Sequence, residues 1–128
     1  MSKVVAGLKY SKEHEWVKME GNVAVIGITD HAQGQLGDIV FIELPKAGAT
    51  LQYMKPMGVV ESVKAASDLF SPVTGKVVAV NDALIKTPEK VNQDCYDGGW
   101  MVKVETTKPE ELAQLLDDKA YTTYLEKA

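Results

Sequence analysis

The chain has 128 residues, of which 45% are hydrophobic and 25% are charged, and its formal net charge is -4. These values are typical of soluble globular proteins, and the length predicts a single domain over residues 1–128. The acidic balance excludes nucleic acid as a main partner, because nonspecific nucleic-acid affinity depends on clustered Lys and Arg. Since the sequence contains no Arg, the guanidinium fork that often binds carboxylates and phosphates is missing as well.

Cysteine content and apolar runs restrict the cellular setting. The single cysteine, Cys95, cannot form an internal disulfide, which favours a reducing compartment. No apolar run approaches the length of a membrane span, and residues 1–10 lack the apolar core of a secretory signal. We therefore expect a soluble intracellular protein. The acidic neighbours of Cys95 are expected to raise the pKa of its thiol and to reduce its reactivity.

Short β-branched clusters separated by turn residues indicate a mainly β fold. The turns contain Gly, Pro, Asn and Asp, the residues that most often reverse the chain. The predicted strands lie at residues 23–28, 39–44, 58–63, 76–80 and 100–104. This spacing predicts a compact β barrel or sandwich, with its core between about residues 8 and 105.

Two stretches break the strand pattern and predict helix. The first begins at Thr29, a candidate cap, and ends near Gly37. The second follows Thr107, which has capping-box spacing to Glu110, and it places leucines on one face. We expect this C-terminal helical extension, residues 107–125, to cover a barrel edge.

Residues 13–16, with the sequence EHEW, combine two carboxylates and an imidazole. In a strand, Glu13 and Glu15 would share one face while His14 and Trp16 take the other. Trp16 is then expected in the core with His14 as its partner. The two carboxylates have a functional role if their shared face borders a cleft.

An enzymatic site is the weaker interpretation of the polar residues. Three serines lie near Asp68 in the sequence and could be combined with either histidine into a nucleophilic site. However, no Gly-x-Ser-x-Gly elbow is present, so solvated loop hydroxyls are the favoured interpretation. For His31, local packing at the start of the first helix is the simpler alternative.

One lysine has an unusual setting. Residues 58–70, with the sequence GVVESVKAASDLF, predict a strand that leads into Lys64, a turn over residues 65–68, and a strand that runs back. Lys64 would then be exposed at a hairpin tip among small neighbours. Such a position suits an amine that another enzyme must reach and acylate, a modification that removes the positive charge.

The sequence around Lys64 resembles a known lysine-modification motif. ESVKA at residues 61–65 is similar to the lipoyl-lysine motif of the H protein family of the glycine cleavage system. Further segments match that family in the same order and extend the resemblance from about residue 8 to residue 125. They are YSKEHEW at 10–16, IGITDHAQ at 26–33, LGDIVFIELP at 36–45, SPVTGKVVAVN at 71–81, VN at 91–92 and GW at 99–100.

This resemblance implies a fold, a cofactor and partners. The fold would be a barrel-sandwich hybrid of the lipoyl and biotinyl carrier type with short helices, and lipoate would be amide-linked to Lys64. The protein would be a non-catalytic monomeric carrier of an aminomethyl group derived from glycine. Its partners would be the pyridoxal-phosphate-dependent glycine decarboxylase (P protein), the folate-dependent aminomethyltransferase (T protein), dihydrolipoamide dehydrogenase (L protein) and a lipoate ligase or lipoyl transferase.

The resemblance also implies a surface cleft that shelters the loaded arm. It places Glu15 and Asp68 at the border of this cleft, where a carboxylate would favour a cationic amine. Glu13 and Gln35 fall close to the same cleft. The family occurs in the bacterial cytoplasm and in the mitochondrial matrix, so we expect one of these compartments.

Other carriers remain alternatives. Lipoyl modules of 2-oxo acid dehydrogenase complexes and biotinyl modules are shorter, and biotinyl modules flank their lysine with Met, whereas Val63 and Ala65 flank Lys64. A paralogue that donates lipoyl groups to other proteins, or that only scaffolds an assembly, would share the same sequence features.

Overall fold

The computed structural model describes residues 2–127, which form mainly antiparallel β-strands connected by short helices. Met1 and Ala128, the ends of the predicted domain, lie outside the described residues. The strands are β1 (Lys9–Tyr10), β2 (Glu15–Glu20), β3 (Val23–Ile28), β4 (Ile39–Glu43), β5 (Thr50–Leu51), β6 (Pro56–Ser62), β7 (Ala66–Phe70), β8 (Gly75–Val80) and β9 (Val102–Thr106). The helices are α1 (Asp30–Leu36), α2 (Ala83–Lys86), α3 (Lys90–Asp94), a 3-10 helix (Pro109–Gln114) and α4 (Asp118–Lys127).

The strands form two sheets that share one core. The larger sheet has the order β1-β2-β3-β9-β8-β5, and the smaller sheet has the order β4-β6-β7. Ile26 from the larger sheet and Val60 and Leu69 from the smaller sheet are fully or almost fully buried in the same apolar cluster. Strand alternation turns these side chains inward. The structure confirms the predicted barrel-sandwich hybrid with short helices and a C-terminal helical part.

The hairpin that carries Lys64 is formed by β6 and β7. Glu61 pairs with Ala66, and the Ser62 N–H donates to the Ala65 carbonyl at 2.7 Å. The turn therefore spans residues 62–65, three positions earlier than the sequence pattern suggests. Ser67 and Asp68, which were expected in the turn, lie in β7.

Helix α1 confirms the prediction of a helix between Thr29 and Gly37. The Thr29 hydroxyl accepts the Ala32 N–H at 3.2 Å and caps the helix. Gly37 ends it with a φ of 77°, a conformation that favours glycine, and its N–H donates to the Gln33 carbonyl at 2.9 Å.

The C-terminal helical extension consists of two segments, a 3-10 helix and α4, with an extended stretch between them. The expected capping box at Thr107 does not form, because a 3-10 helix starts at Pro109 and is preceded by Lys108 without a side-chain cap. Leu115 is extended, and Leu116 exchanges two backbone hydrogen bonds with Tyr10, of 2.7 and 2.8 Å. The segment thereby covers the β1 edge of the larger sheet, as expected, before α4 begins.

Aromatic side chains anchor α4 to the larger sheet. Tyr121 is fully buried and stacks on Tyr10 with ring centroids 4.5 Å apart. Nearby, the Trp16 indole N–H donates to the Cys95 carbonyl at 2.9 Å, which confirms Trp16 as a core residue. Within residues 2–127, no helix has the length and apolar character that crossing a membrane requires.

Candidate functional site

Lys64 lies in a turn that is stabilised by hydrogen bonds within the chain. The Ser62 hydroxyl oxygen accepts the N–H groups of Lys64 and Ala65 at 3.3 and 3.0 Å, and the Val63 N–H donates to the Asp38 carbonyl at 3.1 Å. Ser and Thr hydroxyls commonly support turns in this way. The lysine side chain is exposed, and the neighbouring Val63 is 70% exposed. An external protein can therefore reach the amine.

The Lys64 side chain crosses the end of α1. A Cβ placed on Gly37 would lie 3.5 Å from Lys64 Cε and 4.0 Å from Nζ. Gly37 directly follows Gln35 and Leu36, the last two residues of α1. The amine is thus placed beside the surface that these two residues form.

That surface belongs to a groove of about 450 Å³ next to α1. The groove runs between α1, the loop before β2, the start of β7 and α4. Its walls combine apolar, amide, imidazole and carboxylate groups. The lining residues are Glu13, His14, His31, Ala32, Gln35, Leu36, Ser67 and Leu125.

The structure brings some of the predicted site residues together and separates others. Glu13 and Gln35 both line the groove, and the Lys64 side chain lies against Gly37, two residues after Gln35. Asp68 is exposed on β7 next to Ser67, and successive strand residues point to opposite faces. Asp68 is not among the lining residues, and strand alternation places its side chain on the face of β7 opposite to that of Ser67.

Glu15 lies beneath this surface rather than on it. Its side chain is 1% exposed and accepts hydrogen bonds from the Ser11 hydroxyl and from the Phe70 N–H, the latter at 3.2 Å. Burial raises the pKa of the Glu15 carboxyl to about 8, against the opposing effect of these hydrogen bonds. Glu15 therefore connects β2 of the larger sheet to β7, the strand that follows the lysine turn.

The histidines occupy positions that strand periodicity does not predict. Glu13 and His14 precede β2, and His14 has a φ of 72°. Its ring is 4.7 Å from that of His31, and its Nδ1 is 2.8 Å from the Tyr121 hydroxyl. The expectation that His14 partners Trp16 is wrong. The positive φ at His14 interrupts the alternation on which that expectation depended.

Asn92 stabilises the end of α1 through its side chain, although no role was predicted for it. Its Nδ2 donates to the carbonyl of Gly37 and to the side chain of Gln33, at 2.8 and 2.9 Å. Its Oδ1 accepts the Ile39 N–H at 3.0 Å. Asn92 thereby joins the end of α1 to the start of β4. The short motif at residues 91–92 was the one sequence signal for it.

Cys95 behaves as expected. Its side chain is buried, and burial, followed by the nearby Asp30 carboxylate, raises the pKa of the thiol to about 12. The larger cause is burial rather than the acidic sequence neighbours. A thiolate nucleophile is strongly disfavoured at this position.

Known proteins resemble this chain along nearly its whole length. The model of the glycine cleavage H-protein family matches residues 8–128. The mitochondrial glycine cleavage system H protein of Oryza sativa subsp. indica is 56% identical over 126 residues, which cover 98% of this chain and 77% of the relative. The glycine cleavage system H protein of Carboxydothermus hydrogenoformans is 56% identical over 127 residues, which cover 99% and 98% of the two chains.

A solved structure has the same architecture. The crystal structure of a glycine cleavage system H protein from Mycobacterium marinum superposes with a TM-score of 0.89 and 32% sequence identity. The superposition covers 96% of this chain and 99% of that chain. The sequence match, the shared architecture and the family's lysine motif in a hairpin turn agree, and the chain therefore belongs to the glycine cleavage H-protein family.

Proposed function

We propose that the chain is the lipoyl carrier of a glycine cleavage system, with lipoate in amide linkage to Lys64. The observation that carries this proposal is the position of Lys64. It is exposed in a hydrogen-bonded turn, and its side chain lies against Gly37, the residue that follows Leu36 of the groove lining. An amine presented in this way fits a long acyl group, because the turn leaves it accessible and the groove has a volume of about 450 Å³.

The chemistry belongs to the attached group and to the partner enzymes. Lipoate on Lys64 would supply the dithiolane sulfurs. These sulfurs would receive an aminomethyl group at the pyridoxal-phosphate-dependent glycine decarboxylase and release it at the folate-dependent aminomethyltransferase. Dihydrolipoamide dehydrogenase would then reoxidise the dithiol. A lipoate ligase or lipoyl transferase would attach it. The chain itself would act as a non-catalytic carrier whose tether replaces diffusion of a free intermediate.

The chain's own residues would hold and orient the tether. The Ser62 hydroxyl fixes the turn at Lys64 and Ala65, so the attachment point has a defined direction. The main-chain contact between Val63 and Asp38 fastens the turn to the segment between α1 and β4. A rigid turn presents the amine to each enzyme in the same geometry and reduces the entropy lost on docking.

The groove would shelter the arm between visits to the enzymes. Glu13 and Gln35 line it and would contact the arm directly, with the Glu13 carboxylate favouring a cationic amine. Glu15 would act from below, since it accepts the Phe70 N–H and holds β7 in place. We assign Asp68, on the opposite face of β7, to the surface that partner enzymes approach.

The relatives suggest two compartments for this carrier. One of the similar proteins is described as mitochondrial, and the Carboxydothermus protein is bacterial. We propose the bacterial cytoplasm or the mitochondrial matrix, and a monomeric, single-domain carrier in either.

A glycine decarboxylation exchange assay with purified partner enzymes tests the proposal. The lipoylated chain should support exchange of labelled bicarbonate into the carboxyl group of glycine, and Lys64→Arg should not. A lipoylated chain that supports no exchange but transfers its lipoyl group to other proteins would instead be a lipoyl donor. Lipoylation of the 2-oxo acid dehydrogenase acyltransferases in a coupled reaction distinguishes that outcome.

A further inference from the structure

Two imidazoles lie side by side in the wall of the groove. His14 and His31 are the two histidines of the sequence, and both line the groove. Their ring centroids are 4.7 Å apart and the rings are tilted by 42°. Each side chain is half-buried. The function proposed above uses neither of them.

The position of His14 is tightly constrained. Its N–H donates to the Ser11 carbonyl at 3.1 Å, and its carbonyl accepts the Thr29 N–H at 3.0 Å. A hydrogen bond of 2.8 Å joins its Nδ1 to the Tyr121 hydroxyl, which is also 2.8 Å from the Thr29 hydroxyl. The second ring nitrogen of His14 has no hydrogen-bond partner among residues 2–127. The ring is therefore held rigidly, with one polar atom free.

His31 is equally available for a ligand. It lies in the first turn of α1, and neither of its ring nitrogens is hydrogen-bonded to another residue in the described part of the chain. No group of three His, Cys, Asp or Glu side chains within residues 2–127 is arranged to hold a metal ion. The free nitrogens of the pair therefore suit a hydrogen-bond donor rather than a metal.

The packing of the two rings favours the neutral form of His14. Burial and the neighbouring His31 both lower the pKa of His14. A second positive charge placed 4 Å away costs about 1 kcal/mol even in water, and more in a partly buried site. A neutral imidazole keeps one nitrogen lone pair, which accepts a hydrogen bond, whereas an imidazolium has none.

The other titratable side chains around the pair come from three directions. Burial raises the pKa of Tyr121 to about 12, so this phenol stays protonated near neutral pH. Burial also raises the pKa of Glu15, the sequence neighbour of His14, to about 8, so this carboxyl titrates in a range that overlaps that of imidazoles in general. Glu13 lines the groove with both rings, Glu126 lines an adjoining cavity with His31, and the rings of Tyr121 and Tyr124 lie 5.8 and 5.9 Å from that of His14. Asp30 precedes His31 in α1 and accepts a hydrogen bond from Gln33.

We propose that the His14–His31 pair senses the charge of the group carried on Lys64: while neutral it accepts a hydrogen bond from the cationic amine of the loaded arm, and when protonated it expels the arm from the groove. This inference rests on the proposed carrier function and extends it to a selectivity for cationic cargo. Binding and protonation are linked, so a cation in the groove must also make the pair harder to protonate. An arm without an amine lacks this effect.

Imidazole NMR spectra test the proposal directly, because two histidines give two sets of ring signals. The spectra are recorded from pH 5 to pH 9 for the unmodified, lipoylated and aminomethyl-loaded protein, after intact mass has established each state. Loading should move the titration midpoint of at least one ring to lower pH by roughly 0.7 pH units. Lipoylation alone should not move either titration midpoint. Midpoints unaffected by loading would overturn the proposal.

The lifetime of the loaded group provides a second measurement. The protection factor is the rate in denaturant divided by the loss rate in the folded protein, a quotient that removes the intrinsic pH dependence of the chemistry. The protection factor should fall by roughly fivefold or more as the pair becomes protonated. His31→Gln and His14→Asn should flatten this profile. Asn is chosen for residue 14 because it tolerates a positive φ.

Controls separate this proposal from the carrier function. Glu20→Gln removes an exposed charge in the β2–β3 hairpin, away from the groove, and should keep the wild-type profile. A pH-dependent protection that survives in both histidine variants contradicts the role of the pair while leaving the carrier function intact. If Lys64 accepts no lipoate, the carrier function fails and the histidine proposal fails with it.

Discussion

Lys64 and Gly37 lie against each other, such that a Cβ on Gly37 would be 3.5 Å from Lys64 Cε. The contact joins the tip of the β6–β7 hairpin to the end of α1, two elements that are far apart in sequence. Gly37 has a φ of 77° and a ψ of -149°, a combination that is nearly restricted to glycine. The geometry of the attachment point therefore depends on a backbone conformation at a different element.

Gly37→Ala should lower the free energy of unfolding by about 1–3 kcal/mol, because a side chain is strained in this conformation. It should also slow lipoylation of Lys64, since the end of α1 must shift beside the lysine. Gly21→Ala is the matched control. Gly21 also has a positive φ, of 66°, and an added Cβ there meets nothing within 4 Å. Denaturation curves and the rates of lipoylation by a lipoate ligase are measured for both variants. Equal lipoylation rates in Gly37→Ala and Gly21→Ala would contradict the role of Gly37.

Asn92→Ala should destabilise the region under the lysine turn. It leaves the Ile39 N–H and the Gly37 carbonyl without their side-chain partner, at a cost of about 1–3 kcal/mol. Asn92→Asp should be at least as harmful, because a carboxylate oxygen would face the Gly37 carbonyl. Hydrogen exchange should show faster opening of residues 37–39. Gln93→Ala, at an exposed neighbouring position, should leave exchange unchanged.

The buried carboxyl of Glu15 predicts a pH dependence of stability. Its pKa is raised from the ordinary 4.5 to about 8 in the folded chain. Between these values the unfolded chain releases a proton that the folded chain retains. The free energy of unfolding should therefore fall as pH rises through this window, by up to about 1.4 kcal/mol per pH unit for this group.

Glu15→Gln removes the titrating group and keeps most of the shape. The variant should gain stability relative to the wild type as pH rises from 5 to 8, and urea denaturation at each pH measures the difference. Glu20→Gln, at an exposed position of the same strand, should give a curve parallel to that of the wild type. If the Glu15→Gln curve is also parallel to the wild type, the carboxyl is ionised in the folded state.

Residues of the groove should control the lifetime of the loaded arm without affecting its attachment. Glu13→Gln and Gln35→Ala should leave the rate of lipoylation unchanged, because both residues line the groove rather than the turn. They should shorten the lifetime of the aminomethyl-loaded protein several-fold. Asp68→Asn should not change this lifetime, since Asp68 faces away from Ser67. Release of formaldehyde over time measures all three, and a short lifetime in Asp68→Asn would contradict the assigned orientation of β7.

Local sequence rules were sufficient for much of the fold. The helix between Thr29 and Gly37 forms as predicted, because a cap residue and a glycine stop act within one segment. The hairpin around Lys64 was also predictable, although its turn lies earlier in the chain than expected. The Ser62 hydroxyl explains the shift, since it satisfies the turn's N–H groups at Lys64 and Ala65.

Features that depend on distant contacts were not predictable in this way. Leu116 follows helical spacing in the sequence, yet it pairs with Tyr10 because the β1 edge needs a hydrogen-bond partner. His14 departs from strand alternation because its backbone bonds to Ser11 and Thr29. Both results require knowledge of which segments meet in the folded chain.

The central claim is that Lys64 is the lipoyl attachment point, and intact mass spectrometry of protein incubated with lipoate, ATP and a lipoate ligase tests it most directly. We predict a mass increase of one lipoyl group, assigned to Lys64 by peptide fragmentation. Lys64→Arg should show no increase, and Lys76→Arg, at an exposed position on β8, should show the full increase. An unmodified wild-type protein, or a lipoyl group that persists in Lys64→Arg, would contradict the account.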